Sequence, residues 1–295
     1  MKIAFLFPGQ GCQKIGMGKE LYDKYEEVRK IYDRVSKITG IDIAQLTFFG
    51  DEAELNKTSN AQIAILTMSL GMLEILKIKN ITADVSLGLS LGEYSALIYA
   101  GVLSFEDGIK IVQKRGEFMQ NLVPEGEWQM AALLGTNREQ AQKLCKEISK
   151  GFVVPVNFNC PGQIVISGDR EGIDEAISIS KNFNIKRITK LKTSGPFHTI
   201  KLKEASEALK KELEKIKINE VKSCVIKNID ATKYSKEDDV KEILAKHIIS
   251  PVEFSSSIEN MINMGIDTVV EVGPGNTLTS FVKKIKPDIN ILKIE

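Results

Sequence analysis

The chain has 295 residues, of which 43% are hydrophobic and 27% are charged, with 8 prolines and 22 glycines. This composition is typical of a globular protein with a sizeable core, in one large domain with an insertion or in two domains, and it excludes long disordered tracts. Lys and Arg (40 residues) almost balance Asp and Glu (39 residues), so no global charge attracts nucleic acid or an anionic membrane.

Cysteine usage and the N-terminus bear on the compartment. Cys12, Cys145, Cys160 and Cys224 form no CxxC pair, which predicts neither a zinc site nor a redox motif and favours a reducing compartment. The first apolar stretch ends at Pro8, too early for a secretory signal, and no uncharged apolar run reaches about 18 residues. We therefore expect a cytoplasmic protein without a membrane anchor.

The first half of the chain predicts alternating strands and helices. The apolar run at 3–7, stopped by Pro8-Gly9, is typical of a strand buried in a parallel sheet. A capping box at 104–107 predicts the start of a helix that continues to about Leu122. The predicted elements are strands 3–7 and 85–87 and helices 19–37, 61–76, 93–100 and 105–122.

The pattern changes between 128 and 193, where strands and helices of a small inserted α+β subdomain are predicted. These are strands 130–134, 153–158, 164–167 and 185–191 and helices 140–149 and 172–183. A charged helix at 202–217 and strands at 223–228 and 268–272 then return to the first sheet. We expect a catalytic domain formed by 1–124 and 198–295, and a subdomain formed by 125–197.

The pentapeptide Gly88-Leu89-Ser90-Leu91-Gly92 is a Gly-x-Ser-x-Gly motif between a predicted strand and a predicted helix. In that context the serine lies on a strained turn with its hydroxyl exposed, and the backbone N–H of the next residue faces a carbonyl that the hydroxyl attacks. The motif predicts Ser90 as a nucleophile and the Leu91 amide as an oxyanion donor. An ordinary turn serine is the alternative.

A serine nucleophile needs a base, usually histidine, and the chain has two histidines. His198 ends the loop segment 194–198, where Gly-Pro fixes the approach of the ring, and is the predicted base. No acid follows it as an orienting group, so a backbone carbonyl is expected to fix its tautomer. His247 lies in an apparently helical stretch, where a surface or capping role is expected.

Arg115 projects from an apolar stripe of the helix predicted at 105–122. A buried unpaired charge costs several kcal/mol, and a guanidinium suits bidentate carboxylate binding. Arg115 is therefore predicted to bind a substrate carboxylate, with an internal salt bridge or a solvent-reaching side chain as the alternatives.

The loop after the first strand contains Gly9-Gln10-Gly11 but lacks a third glycine at Lys14, which excludes the dinucleotide-binding fingerprint. This loop is instead placed to donate a second backbone N–H, from Gln10, to an oxyanion.

With these motifs the chain resembles the malonyl-CoA:acyl carrier protein transacylase family, which includes the acyltransferase domains of fatty-acid and polyketide synthases. The resemblance covers nearly the whole chain. It rests on FPGQG at 7–11, GLSLGEYSAL at 88–97, QKRGEFM at 113–119, NFNCPGQIVISG at 157–168, GPFH at 195–198, SPVEF at 250–254 and EVGPGNTL at 271–278.

The resemblance implies an α/β-hydrolase-like large domain with an inserted ferredoxin-like subdomain, and an active site between them. It implies transfer of malonyl from malonyl-CoA to the phosphopantetheine thiol of acyl carrier protein, without a metal or bound cofactor. We expect a monomer that binds neither nucleic acid nor membrane. The implied roles are nucleophile for Ser90, base for His198, oxyanion amides for Gln10 and Leu91, substrate binding for Arg115, Gln62, Met119, Asn159 and Phe197, and imidazole orientation for the His247 carbonyl.

Two positions depart from the family pattern. Leu89 stands where the family usually has histidine, and the elbow keeps its support only if Leu89 packs against apolar neighbours. His247 stands where the family often has glutamine, and because the orienting group is a backbone carbonyl, the role survives the exchange.

Two other functions stay open from the sequence. Ser90 and His198 alone would also serve a serine hydrolase or thioesterase, and the two departures would suit a docking module without activity. The basic run at 181–192 either contacts an acidic carrier protein or forms a solvated face.

Overall fold

The computed structural model describes residues 1–193 and 195–294. Ser194, which begins the predicted loop before His198, and Glu295 lie outside the described residues. The strands are β1 (Ile3–Phe7), β2 (Val85–Gly88), β3 (Trp128–Leu134), β4 (Val153–Cys160), β5 (Gln163–Asp169), β6 (Arg187–Lys190), β7 (Cys224–Val225), β8 (Thr268–Glu271) and β9 (Asn290–Ile291).

Most of the helices surround or connect these strands. They are α1 (Lys19–Lys24), α2 (Glu26–Thr39), α3 (Glu52–Asn56), α4 (Thr58–Ile78), α5 (Gly92–Tyr99), α6 (Phe105–Asn121), α7 (Arg138–Lys146), α8 (Arg170–Ile179), α9 (Lys203–Glu214), α10 (Val240–His247), α11 (Phe254–Asn263) and α12 (Thr277–Ile285). A π-helical turn covers Gln45–Phe49, and 3₁₀ turns cover Ser180–Phe183 and Ile200–Leu202.

The large sheet is parallel, with strand order β7-β2-β1-β8-β9. All five residues of central β1 are buried and apolar, as expected of a strand with helices on both faces. The carboxyl ends of β1, β2, β7 and β8 therefore share one edge, which is where open parallel sheets place their sites.

The second sheet is antiparallel, with strand order β4-β5-β3-β6. Its elements follow one another as β3-α7-β4-β5-α8-β6, which is the ferredoxin-like arrangement expected above. The small sheet contacts the segment before α11, where Phe158 of β4 donates its backbone N–H to the Val252 carbonyl at 2.9 Å. The domain limits at 124/125 and 197/198 stay a prediction.

Several predicted elements have different bounds in the structure. The helix predicted at 19–37 is interrupted at Tyr25, whose backbone is extended, and Arg29 caps the end of α1 through the Tyr22 and Asp23 carbonyls. The strand predicted at 223–228 pairs only over Cys224–Val225, because the chain then enters a turn in which the Lys227 N–H bonds to the Thr232 carbonyl. The helix predicted at 202–217 ends at Glu214.

Among the described residues, α4 alone is long and apolar enough to match a membrane span, but 72% of its most apolar window is buried inside the protein. Its burial is that of a core helix, and it packs against α2 and α6.

Candidate active site

A cavity of about 530 Å³ lies between the two sheets, at the carboxyl edge of the parallel sheet. Its walls come from the loop after β1, from the turn after β2, from α6 and from strands β3 to β5 of the small sheet. Seven of the residues predicted from the sequence line it, namely Gln10, Ser90, Arg115, Met119, Asn159, Phe197 and His198. Gln62, Leu91 and His247 lie behind this lining.

Ser90 lies on a strained turn between β2 and α5. Its φ of 54° is in the left-handed region, which is uncommon for a residue other than glycine and is held here by the neighbouring chain. The flanking glycines are needed for that fit: a Cβ on Gly88 would lie 1.9 Å from the Gly92 carbonyl carbon, and a Cβ on Gly92 would lie 1.9 Å from the Phe7 oxygen.

Gly92→Ala is therefore expected to lower the free energy of unfolding by about 2–3 kcal/mol, because β1 and the turn must separate to admit the methyl group. Denaturant unfolding measures this change. Gly71→Ala in α4 is the matched control, since among the described residues its Cβ would meet only the Val28 side chain, at 3.1 Å, and no backbone atom. Equal stability losses in the two variants would contradict the expected clash.

The His198 ring contacts both the serine and the chain behind it. Nε2 lies 2.8 Å from Ser90 Oγ, and Nδ1 lies 3.0 Å from the His247 carbonyl oxygen and 3.2 Å from that of Ser250. Carbonyls only accept, so Nδ1 carries the proton and Nε2 is free to accept the serine proton. Burial, and to a smaller extent the Arg115 charge, lower the pKa of His198 to about 4, against the opposing effect of the two carbonyl hydrogen bonds.

His247 corrects one expectation from the sequence. It is the last residue of α10 but is fully buried, so the surface role was wrong. The helix ends beside the cavity, and this brings the His247 carbonyl to the His198 ring and places the two rings 5.2 Å apart. Leu89, the other departure, is half-buried and packs against the apolar cluster around Leu87.

Arg115 is 1% exposed, and its guanidinium is turned towards the serine. Nη2 donates to Ser90 Oγ at 3.0 Å, Nη1 donates to Gln62 Oε1, and Nε has no protein partner among the described residues. No carboxylate of a described residue forms an ion pair with it, so both the internal salt bridge and the solvent-reaching side chain were wrong interpretations within this part of the chain. A buried cation with only neutral partners favours an anionic ligand.

The remaining predicted binding residues line or adjoin the same cavity. Gln62 is fully buried and holds Arg115 by its carbonyl oxygen, while its amide nitrogen lies 3.6 Å from Met119 Sδ. Asn159 Oδ1 is buried without a partner among the described residues, and Phe197 closes the cavity beside His198. Polar atoms without partners in a cavity are available to a ligand.

The two backbone amides predicted for the oxyanion hole are available. Within residues 1–193 and 195–294, neither the Gln10 nor the Leu91 N–H donates a hydrogen bond to the protein. Leu91 immediately precedes α5, so the positive end of that helix faces the same site. The Gln10 side chain donates to Thr58 Oγ1 at 3.2 Å, which holds the loop.

Asn228 was not predicted as a site residue from the sequence. Its Oδ1 accepts the Ser90 backbone N–H at 2.7 Å, and its Nδ2 donates to the Gly88 carbonyl at 2.7 Å. The only signal was position: Asn228 ends the predicted strand 223–228, at the edge where parallel sheets place their sites.

The basic run lies at the surface near the cavity. Lys190 and Lys192 line the cavity, and Lys190 pairs with Asp174. Lys181, Lys186 and Arg187 are exposed. Among the described residues no cluster of three His, Cys, Asp or Glu side chains is arranged to hold a metal.

A serine on a strand–turn–helix elbow, an imidazole and a buried guanidinium in one cleft are typical of the acyl-transferring class of enzymes. The acyl transferase domain family matches residues 4–288. The "Malonyl CoA-acyl carrier protein transacylase" of Bacillus subtilis (strain 168) is 43% identical over 99% of this chain and 93% of its own length. The chain belongs to the malonyl CoA-acyl carrier protein transacylases of this family, which confirms the resemblance seen in the sequence.

Solved structures agree with this membership. The malonyl CoA-acyl carrier protein transacylase from Clostridium perfringens superposes with a TM-score of 0.95 at 43% identity, covering 100% of this chain and 93% of that one. A malonyl-transacylase in complex with a type II PKS acyl-carrier protein superposes with a TM-score of 0.95 at 33% identity, covering 100% of this chain and 96% of that one. The mixed architecture of parallel sheet and small antiparallel sheet is shared with these proteins.

Proposed function

We propose that this chain transfers the malonyl group of malonyl-CoA to the phosphopantetheine thiol of acyl carrier protein, through a malonyl ester on Ser90, in fatty-acid or polyketide synthesis. One observation carries the proposal: Ser90 Oγ lies within hydrogen-bond reach of both His198 Nε2 (2.8 Å) and Arg115 Nη2 (3.0 Å) in a single cavity. A nucleophile between a base and a buried cation suits a substrate that is both a thioester and a carboxylate.

In the first half of the reaction, His198 Nε2 accepts the Ser90 proton while Oγ attacks the thioester carbon. The negative charge that forms on the carbonyl oxygen is stabilised by the Gln10 and Leu91 amides, each donor contributing about 3 kcal/mol to lowering the barrier. The C–S bond then breaks, and the His198 proton passes to the coenzyme A sulfur.

In the second half, the carrier thiol occupies the position that coenzyme A left and gives its proton to His198. Its sulfur attacks the Ser90 ester, the C–O bond breaks, and the proton returns to Oγ. Through both halves Arg115 binds the malonyl carboxylate, held in place by Gln62, while Met119, Asn159 and Phe197 line the acyl pocket. The His247 carbonyl keeps the His198 ring in the reactive tautomer.

Transfer and hydrolysis differ in what discharges the ester. Malonyl-enzyme made with malonyl-CoA and freed of excess substrate is expected to persist in buffer and to lose its malonyl group on addition of acyl carrier protein bearing its phosphopantetheine. Intact-mass spectrometry follows both species. Carrier protein without phosphopantetheine is the control, and rapid discharge by water alone would favour a thioesterase.

The rate of ester formation is expected to fall only at a pH well below the pKa of an ordinary histidine. His198 is already neutral at pH 7, and because its pKa is lowered to about 4, ester formation should hold its rate as pH falls and then decline towards about pH 4. Arg115→Met should move this decline towards neutral pH, because the nearby positive charge is lost. Single-turnover adduct formation against pH measures both, with circular dichroism confirming the fold at each pH. A wild-type midpoint near 6.5 would contradict the assignment.

We also propose that the chain acts as a cytoplasmic monomer. Its exposed large apolar side chains belong to separate elements, for example Phe49 after α2, Ile177 on α8 and Met264 after α11, whereas a stable dimer buries a contiguous patch. All four cysteines are unpaired, which suits a reducing compartment. Light scattering at working concentration should give the mass of a single chain.

A further inference from the structure

A fully buried carboxyl lies behind Ser90 and His198, the candidate catalytic dyad, and the proposed mechanism does not use it. Glu93, on the first turn of α5, is 0% exposed. Its Oε1 accepts the Tyr234 hydroxyl at 2.6 Å, and its Oε2 accepts the Asn228 backbone N–H at 3.3 Å. Among the described residues, no lysine or arginine forms a salt bridge with Glu93. Burial raises the pKa of Glu93 to about 7, and the two hydrogen bonds partly oppose this rise. Because burial of a carboxyl without a cationic partner costs free energy, we expect Glu93 to have a functional role.

On one side Glu93 supports the serine. It holds the backbone of Asn228, and the Asn228 side chain bonds to the Gly88 carbonyl and to the Ser90 N–H, each at 2.7 Å. The side-chain amide of Asn228 therefore hydrogen-bonds to both ends of the strained turn, and Glu93 fixes the position of Asn228.

On the other side Glu93 contacts the support of the base. Its Oε2 lies 3.2 Å from His247 Nδ1, although neither ring nitrogen makes an aligned hydrogen bond to any residue that the structure describes. The His247 carbonyl accepts the His198 Nδ1–H at 3.0 Å. The side chains of Glu93 and His247 are both fully buried, so neither can move without displacing packed neighbours.

We propose that Glu93 is a positioning residue: its carboxyl joins the residue that holds the Ser90 turn to the residue that holds the His198 ring, and so sets the distance between Ser90 Oγ and His198 Nε2. The inference rests on the proposed function only where malonyl transfer is the readout.

Glu93→Gln tests this proposal. Glutamine keeps the size of the side chain but replaces one of the two accepting oxygens with an NH₂ group, which cannot accept a hydrogen bond. We expect kcat for malonyl transfer to fall about 10- to 100-fold with KM for malonyl-CoA within about twofold, since a misplaced nucleophile lowers the rate of the chemical step more than it weakens binding. Ser206→Ala is the matched control: its buried hydroxyl donates to the Ala245 carbonyl of α10, the helix that carries His247, but makes no hydrogen bond to Glu93. It should keep the wild-type values.

A fluorophosphonate separates this inference from the proposed function, because it phosphonylates an activated serine with loss of fluoride and needs neither a malonyl group nor a carrier protein. The rate of Ser90 phosphonylation should fall in Glu93→Gln by about the same factor as kcat for malonyl transfer. If wild-type Ser90 does not react, the dyad itself is wrong. If wild type and Glu93→Gln react equally fast, only the positioning role is wrong.

Two further variants keep the test decisive if Glu93→Gln folds poorly. Tyr234→Phe removes one hydrogen bond to the carboxyl and should slow phosphonylation about 3- to 10-fold, so an unchanged rate would overturn the proposal. Asn228→Ala combined with Tyr234→Phe should be little slower than the slower single variant, because both act through one network. If the double variant were slower by the product of the two single factors, the proposed positioning role would also be overturned.

Discussion

Ser90→Ala is expected to abolish the malonyl adduct and to lower the transfer rate by about 10⁴-fold or more, as removal of a serine nucleophile does in enzymes of this chemistry. The reason is structural: Ser90 Oγ is the atom that His198 Nε2 and Arg115 Nη2 both reach. Intact mass after mixing with malonyl-CoA and steady-state transfer to carrier protein are the two measurements.

Ser95→Ala is the matched control for that variant. Ser95 lies on α5 five residues after Ser90 and is fully buried, and its hydroxyl makes no hydrogen bond to a described residue. It should form the adduct at the wild-type rate. A malonyl adduct that persists in Ser90→Ala would mean that another group is the nucleophile.

Arg115→Ala is expected to change which acyl group the enzyme uses. Loss of one member of a buried ion pair costs about 3–5 kcal/mol, so kcat/KM for malonyl-CoA should fall by about 10²- to 10³-fold. Acetyl-CoA has no carboxylate and leaves the wild-type guanidinium unpaired, so its kcat/KM should fall much less or rise. Competition between the two thioesters, read by the mass of the adduct, gives the ratio directly.

Arg34→Ala controls for the loss of a positive charge, since Arg34 pairs with Glu106 at the surface and does not line the cavity. It should leave the selectivity unchanged. Equal losses for malonyl and acetyl in Arg115→Ala would contradict carboxylate binding and would assign Arg115 to the support of Ser90.

The sequence predicted the parts of the site that local pattern specifies. A strand, a Gly-x-Ser-x-Gly motif and a helix in succession leave the chain few alternatives to a sharp turn, and that turn is present at Ser90 with a φ of 54°. The helix expected from its capping box begins at Phe105 behind the Ser104 cap, and its periodicity correctly placed Arg115 on the buried face.

The support behind the site could not be predicted in this way, because its contacts join segments far apart in the chain. Glu93 and Asn228 are 135 residues apart, and nothing local marks either as buried. His247 was assigned to the surface because helical pattern alone does not show that α10 ends against His198. The strand predicted at 223–228 was too long because its apolar residues continue into a turn, where Ile226 is buried by packing in the apolar cluster that includes Leu87.

The most direct test of the account is a crystal structure of the wild-type protein soaked with malonyl-CoA in the absence of carrier protein. We expect an ester on Ser90 Oγ, its carbonyl oxygen on the Gln10 and Leu91 amides, and its free carboxylate on the Arg115 guanidinium. An adduct on any other residue, or an ester on Ser90 whose carboxylate points away from Arg115, would contradict it.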